Sequence, residues 1–163
     1  MTARSYRLPA LRLLAVAVLA TQLAGCALPS FLSFKGTKVR WDQVSLSAAE
    51  NANRNSAVAV DIVLVTEDAV VEKVIDLPAS KWFAARADLA KTFPKVLTYR
   101  SWELVPGQVL TVDGDSFGSP RVAAALVFAD YATPGSHRVR IDEFKGRLVV
   151  RLEQDDLTVT TAP

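Results

Sequence analysis

Of the chain's 163 residues, half are hydrophobic, and 19 Lys or Arg stand against 17 Asp or Glu, with one His and one Cys. A net charge of +2 offers no basic surface of the kind nucleic acid selects. The single cysteine excludes an intramolecular disulfide and a cysteine-built zinc site.

Arg4, Arg7 and Arg12 precede the apolar run Leu13 to Ala20, in the order of an export signal. That run falls short of the roughly 20 apolar residues a bilayer span requires, so it reads as a removed leader. It ends in Leu23-Ala24-Gly25-Cys26, a lipobox: a branched apolar residue, two small residues that fit a peptidase cleft, then a cysteine. Cys26 is therefore the expected lipidation site, with residues 1–25 as signal peptide. Palmitate-type chains would supply the tether, each buried methylene adding about 0.8 kcal/mol of membrane affinity. An ordinary secretory signal that contains a cysteine is the bland alternative. Removing the leader takes three arginines with it and turns the charge balance slightly negative.

Residues 26–38 form a lipidated tether, whose Leu28, Phe31, Leu32 and Phe34 either dip into the lipid interface or rest on the domain. From Val39 the period is two. Val39, Trp41, Val44 and Leu46 predict a strand with a slip near Asp42-Gln43, and Ala57 to Thr66 is a near-continuous apolar run suited to a central strand. The asparagine-rich stretch Ala49 to Ser56 between them is a loop. Residues 69–76 fit either a strand or a helical turn.

Trp82, Phe83, Arg86, Leu89 and Ala90 recur at three and four, predicting a helix with Ser80 as N-cap and Pro94 beyond its end. Short strands follow over Val96 to Leu104 and Gln108 to Val112, with a hairpin turn at Asp113-Gly114-Asp115. Arg121 to Tyr131, His137 to Phe144, Arg147 to Glu153 and Leu157 to Thr161 complete the series, separated by Pro134-Gly135, Lys145-Gly146 and Asp155-Asp156. Seven or eight short strands and one inserted helix predict a mainly β fold over residues 39–163, an antiparallel β-sandwich.

Catalytic groups find little support. His137 reads as a solvated histidine at a strand edge, the Asp113-Gly114-Asp115 pair lacks the further oxygens a calcium loop needs, and Asp76 and Glu103 are scattered acids. Neither a P-loop nor a dinucleotide fingerprint is present. Trp82, Phe83, Tyr99 and Trp102 fit core packing better than a ligand box. No enzyme activity, metal or cofactor is expected, the covalent lipid on Cys26 apart.

Four segments in order resemble the outer-membrane lipoprotein family of the type VI secretion system, called TssJ, SciN or VasD. VSLSAAENANRNSAVAVDIVLV, residues 44–65, looks like that family's first hairpin, and Trp82-Phe83 with Asp88-Leu89 is similar to its inserted helix. Leu104-Val105-Pro106-Gly107 matches its L-x-P-G turn, and Ala123 to Tyr131 with Pro134-Gly135 and His137-Arg138 looks like its late strand. The chain departs from the pattern at Val63 or Leu64, where the family has tyrosine, and at His137, where it favours tryptophan. The resemblance implies a transthyretin-like sandwich with an added helix. It also implies a structural role in which a protein held by outer-membrane lipid, facing the periplasm, binds the periplasmic domain of the inner-membrane protein TssM. The family's contact loop falls at Ala49 to Ser56, which makes Glu50, Asn51, Asn53, Arg54 and Asn55 the exposed candidates for partner binding. Ala27, not aspartate, after the lipidated cysteine implies sorting to the outer membrane. An envelope lipoprotein that binds a small ligand or another periplasmic protein, unrelated to secretion, remains the alternative.

Overall fold

The computed structural model describes residues 36–163. The leader, Cys26 and the tether up to residue 35 lie outside the described residues.

Alternation dictates the first sheet. In β2 (Arg40–Ala48), Trp41, Val44, Leu46 and Ala48 are buried while the residues between them are not, and the expected slip is a bulge between Trp41 and Gln43. β2 lies between β5 (Val109–Asp113) and β9 (Lys145–Leu152), and β9 pairs onward with β10 (Leu157–Ala162). β3 (Val58–Val65) is central in the second sheet, between β4 (Leu97–Leu104) and β7 (Ala124–Asp130), with β8 (Arg138–Ile141) beyond β7. A two-residue ribbon pairs β1 (Thr37–Lys38) with β6 (Arg121–Val122), so the last tether residues join the fold.

Every pairing is antiparallel except that of β2 with β9, which runs parallel from Arg40 opposite Lys145 to Ala48 opposite Leu152. Turn signals in the sequence report hairpins between neighbours. They carry nothing about a pair joined through most of the domain.

β3 is buried on both faces, as its near-continuous apolar run predicts. Val58, Val60, Ile62 and Leu64 enter the sandwich core with Val44, Leu46, Leu148 and Val150. Val63 and Val65 enter a second core on the outer face of that sheet, with Leu97, Leu126 and Phe128.

Helices cover this outer face. The segment left open by its sequence is α1 (Asp68–Val74), which buries Val70 and Val74 one turn apart. The expected helix is α2 (Ala79–Thr92), which buries Ala79 and Trp82. Among the described residues two helices thus stand where one was expected. Ser80 is not the cap: Pro78 occupies that position, extended at φ −68°, and its carbonyl accepts from Lys81 and Trp82 N–H at 3.0 Å. Proline's fixed φ starts the helix without a side-chain oxygen.

The Asp113-Gly114-Asp115 turn is not a hairpin. A 3-10 turn, Gly114–Phe117, carries the chain from β5 toward β6, and Asp113 Oδ1 accepts from Asp115 N–H at 2.9 Å. Gly114 sits beneath Trp41, where a Cβ would come within 1.6 Å of the Trp41 carbonyl oxygen.

Candidate functional site

Strand ends bring three loops to one end of the sandwich: residues 49–57 after β2, 131–137 after β7 and 153–156 after β9. The register enforces this, since Ala48 lies opposite Leu152 and Ala59 opposite Asp130.

The first loop is tightly wound. A 3-10 turn, Ala52–Arg54, runs into Asn53, Arg54 and Asn55 at φ 44°, 54° and 65°, three successive left-handed residues without glycine. Asparagine tolerates this region better than most residues; arginine does not, so the conformation must be held from outside. Asn53 holds it. Its Nδ2 donates to the Ala57 carbonyl at 2.7 Å, its Oδ1 accepts from Ala132 N–H at 2.8 Å, and its own N–H donates to the Glu153 carbonyl. One residue, through its side chain and its backbone N–H, therefore binds all three loops together.

This corrects an expectation. Asn53 is 5% exposed and is a clamp, not a surface group, while Glu50, Asn51, Arg54 and Asn55 are exposed as expected. Asn51 Nδ2 donates to Gln154 Oε1 at 2.9 Å and Arg54 Nε to Asp155 Oδ1 at 2.9 Å, tying the first loop to the third from above. Glu50 stands over Gly107 in the turn after β4, whose N–H donates to the Ala48 and Ala49 carbonyls.

His137 also departs from expectation, being buried rather than solvated. Its ring lies 4.8 Å from that of Tyr131, with Nε2 2.8 Å from the Thr133 carbonyl oxygen and Nδ1 3.3 Å from Asp156 Oδ1. A strand-edge position predicts exposure only when nothing folds over the edge, and the loop at 153–156 does. The Tyr131 hydroxyl reaches the Asp156 and Glu153 carbonyls at 2.6 and 3.1 Å. Burial, and then the nearby Asp156 carboxylate, push its pKa well above the usual tyrosine range.

Between the loops lies an open cleft of about 360 Å³, lined by Arg54, Ala132, Thr133, Pro134 and Asp155. The Thr133 hydroxyl is buried, with no hydrogen-bond partner among the described residues. No group of three or more His, Cys, Asp or Glu among the described residues is placed to hold a metal ion.

The other sequence candidates lie apart from this end. Asp76 and Glu103 are exposed acids. Trp82 stacks on Phe128 at 4.9 Å and meets Tyr99 edge-on, the core packing expected. What sequence reasoning passed over is Asp61, fully buried in β3. Arg86 Nη1 donates to both of its oxygens at 2.9 and 2.8 Å, Trp82 Nε1 donates at 2.8 Å, and Ser101 Oγ at 2.6 Å. The signal was a lone charge inside an apolar run. Because α2 and β4 supply all of its partners, it fastens the helical layer to the sheet.

No protein-family model and no curated protein matches the chain. Solved structures do. The T6SS lipoprotein TssJ1 from Pseudomonas aeruginosa matches with a TM-score of 0.53 over 78% of this chain and 98% of that one, at 14% identity. Lip from Serratia marcescens, a membrane-bound component of the type VI secretion system, matches at 0.50 over 78% and 100%, at 12% identity. A chain of a type VI membrane complex matches at 0.52 over 76% and 98%, at 19% identity. The chain thus has the mainly β fold of the TssJ lipoproteins over most of its length.

Proposed function

We propose that this chain, which shares the TssJ fold, is an outer-membrane-anchored lipoprotein of a type VI secretion membrane complex. It is a structural assembly component and not an enzyme, and it binds the periplasmic domain of a TssM-like inner-membrane protein. The observation that carries the reading is the bonding around Asn53, which stiffens the loop after β2 before any partner arrives; the resemblance implies that the family's contact loop falls at Ala49 to Ser56 in that loop. Ordering a loop costs binding energy, and a loop already wound around Asn53 has met that cost in folding.

Anchoring rests on Cys26, whose acyl chains would leave the domain in the periplasm at the end of a short tether. Two measurements test the proposal. Metabolic palmitate labelling should mark the full chain, and Cys26→Ser should lose both the label and the membrane fraction. The detergent-solubilised full chain should bind the periplasmic domain of the TssM-like protein encoded with it. Glu50→Lys should weaken that binding about tenfold, the scale of one lost interfacial charge contact. An unlabelled chain, or one that ignores the partner domain, overturns the corresponding half.

A further inference from the structure

We infer that the cleft between the three loops receives a basic side chain, lysine or arginine, from the protein partner. This rests on reading the loop end as a partner surface and adds the chemistry of the group that enters it.

Charge is the first support. Glu50, Glu153, Asp155 and Asp156 are all exposed at this end, against Arg54 as the exposed cation of these three loops. Arg54 meets Asp155 through one bond, Nε to Oδ1, between two exposed side chains, so solvent screens the pair and leaves it weak. Oδ2 has no partner among the described residues.

Lining is the second support. Ala132 and Pro134 offer an apolar wall for the methylene stem of a long cation, which lies along apolar surface while its charged head seeks acceptors. Thr133, which lines the cleft, adds a buried hydroxyl that has no partner among the described residues and can accept from an arriving N–H. Carboxylate, carbonyl and hydroxyl oxygens are what an ammonium or guanidinium group uses.

Rigidity is the third support. Asn53 fixes Ala132, so the wall that Ala132 supplies holds its place without the guest.

The rival occupant is a carboxylate that takes the free guanidinium edge of Arg54. Opposite substitutions separate the two. In the full chain in detergent micelles, Asp155→Asn should lower affinity for the TssM-like periplasmic domain about tenfold, and raising salt should weaken the wild-type complex. Arg54→Gln should raise affinity about threefold, since it unmasks the carboxylate. Equal losses in both variants would mean that the ion pair is only structural, and a loss confined to Arg54→Gln would mean that the guest is an anion; either overturns the inference.

Titration with N-acetyl-arginine amide tests the cleft without the partner. Amide resonances of Thr133 and Asp155 should move in the wild type and stay fixed in Asp155→Asn. Failure of the wild type to bind the domain while these shifts persist would sink the choice of partner and keep the cleft. Absence of the shifts would sink the cleft itself.

Discussion

Asp61 places a carboxyl group in the buried middle of a strand, and the cost of placing it there is met by donors from elsewhere. Removing a partner of a buried charge costs more than the pair itself contributes. Arg86→Met should therefore destabilise the domain by about 3 kcal/mol, less the part water restores at its half-exposed edge, read as a lowered urea midpoint. Asp61→Asn keeps some of the bonds and should cost about 1–3 kcal/mol. Tyr131 makes a second prediction. Its neutral form is favoured in the folded state, so its contribution is fully present below the unfolded-chain pKa of 10.0 and is lost as pH rises beyond it toward the higher folded value. Stability measured from pH 8 upward should fall above about pH 10, and Tyr131→Phe should flatten that fall while costing about 1 kcal/mol at neutral pH. At this scale the sequence is only half readable. A lone aspartate in AVAVDIVLV announces a buried charge, but its partners follow from the rotation of α2, which places Trp82 and Arg86 one turn apart against β3. His137 shows the same gap, since what buries it arrives from a loop 19 residues away.

Among the elements, strands and α2 were legible because their periods of two and of three to four survive in the sequence. α1 was not, because it is short and carries the β-branched pair Val70-Val71, and its helicity comes from burying Val70 and Val74 against a sheet that periodicity cannot see. The loop after β2 was placed correctly as polar, yet the role of each asparagine depends on φ. Asn53 turns inward and bonds twice, whereas Asn55 closes the turn at φ 65°. Asn53→Ala removes both bonds and leaves Ala132 N–H without its acceptor, so it should lower stability by about 2–3 kcal/mol and broaden the amide signals of residues 50–56. The Gly114 turn gives a harsher case. Gly114→Ala drives a methyl group into the Trp41 carbonyl, and β5 with its 3-10 turn must move aside. Thermal unfolding should reveal a loss of about 3 kcal/mol or more, the upper range for overpacking.

For the whole molecule, two cores share one sheet. The sandwich core lies between the sheets, and the smaller one lies beneath the helices and is joined to β3 through Asp61. A layer held on one face opens at lower cost than strands held on both. Hydrogen exchange should therefore find the α1 and α2 amides opening sub-globally, while those of β3 and β9 exchange only with complete unfolding. Equal protection in all four would mean a single cooperative unit. Assembly order follows from the parallel pair of β2 and β9. These strands are separated by about a hundred residues of chain, so their ladder closes one of the longest loops the domain contains. A nascent polypeptide emerging N-terminus first has β2 in hand early, with β5 as its sole neighbour, and must keep the other edge of β2 from self-association until residues 145–152 arrive. Closure of this sheet waits on residues 145–152, and a chain cut short of them would leave an open, aggregation-prone ribbon where the finished domain has a closed seam.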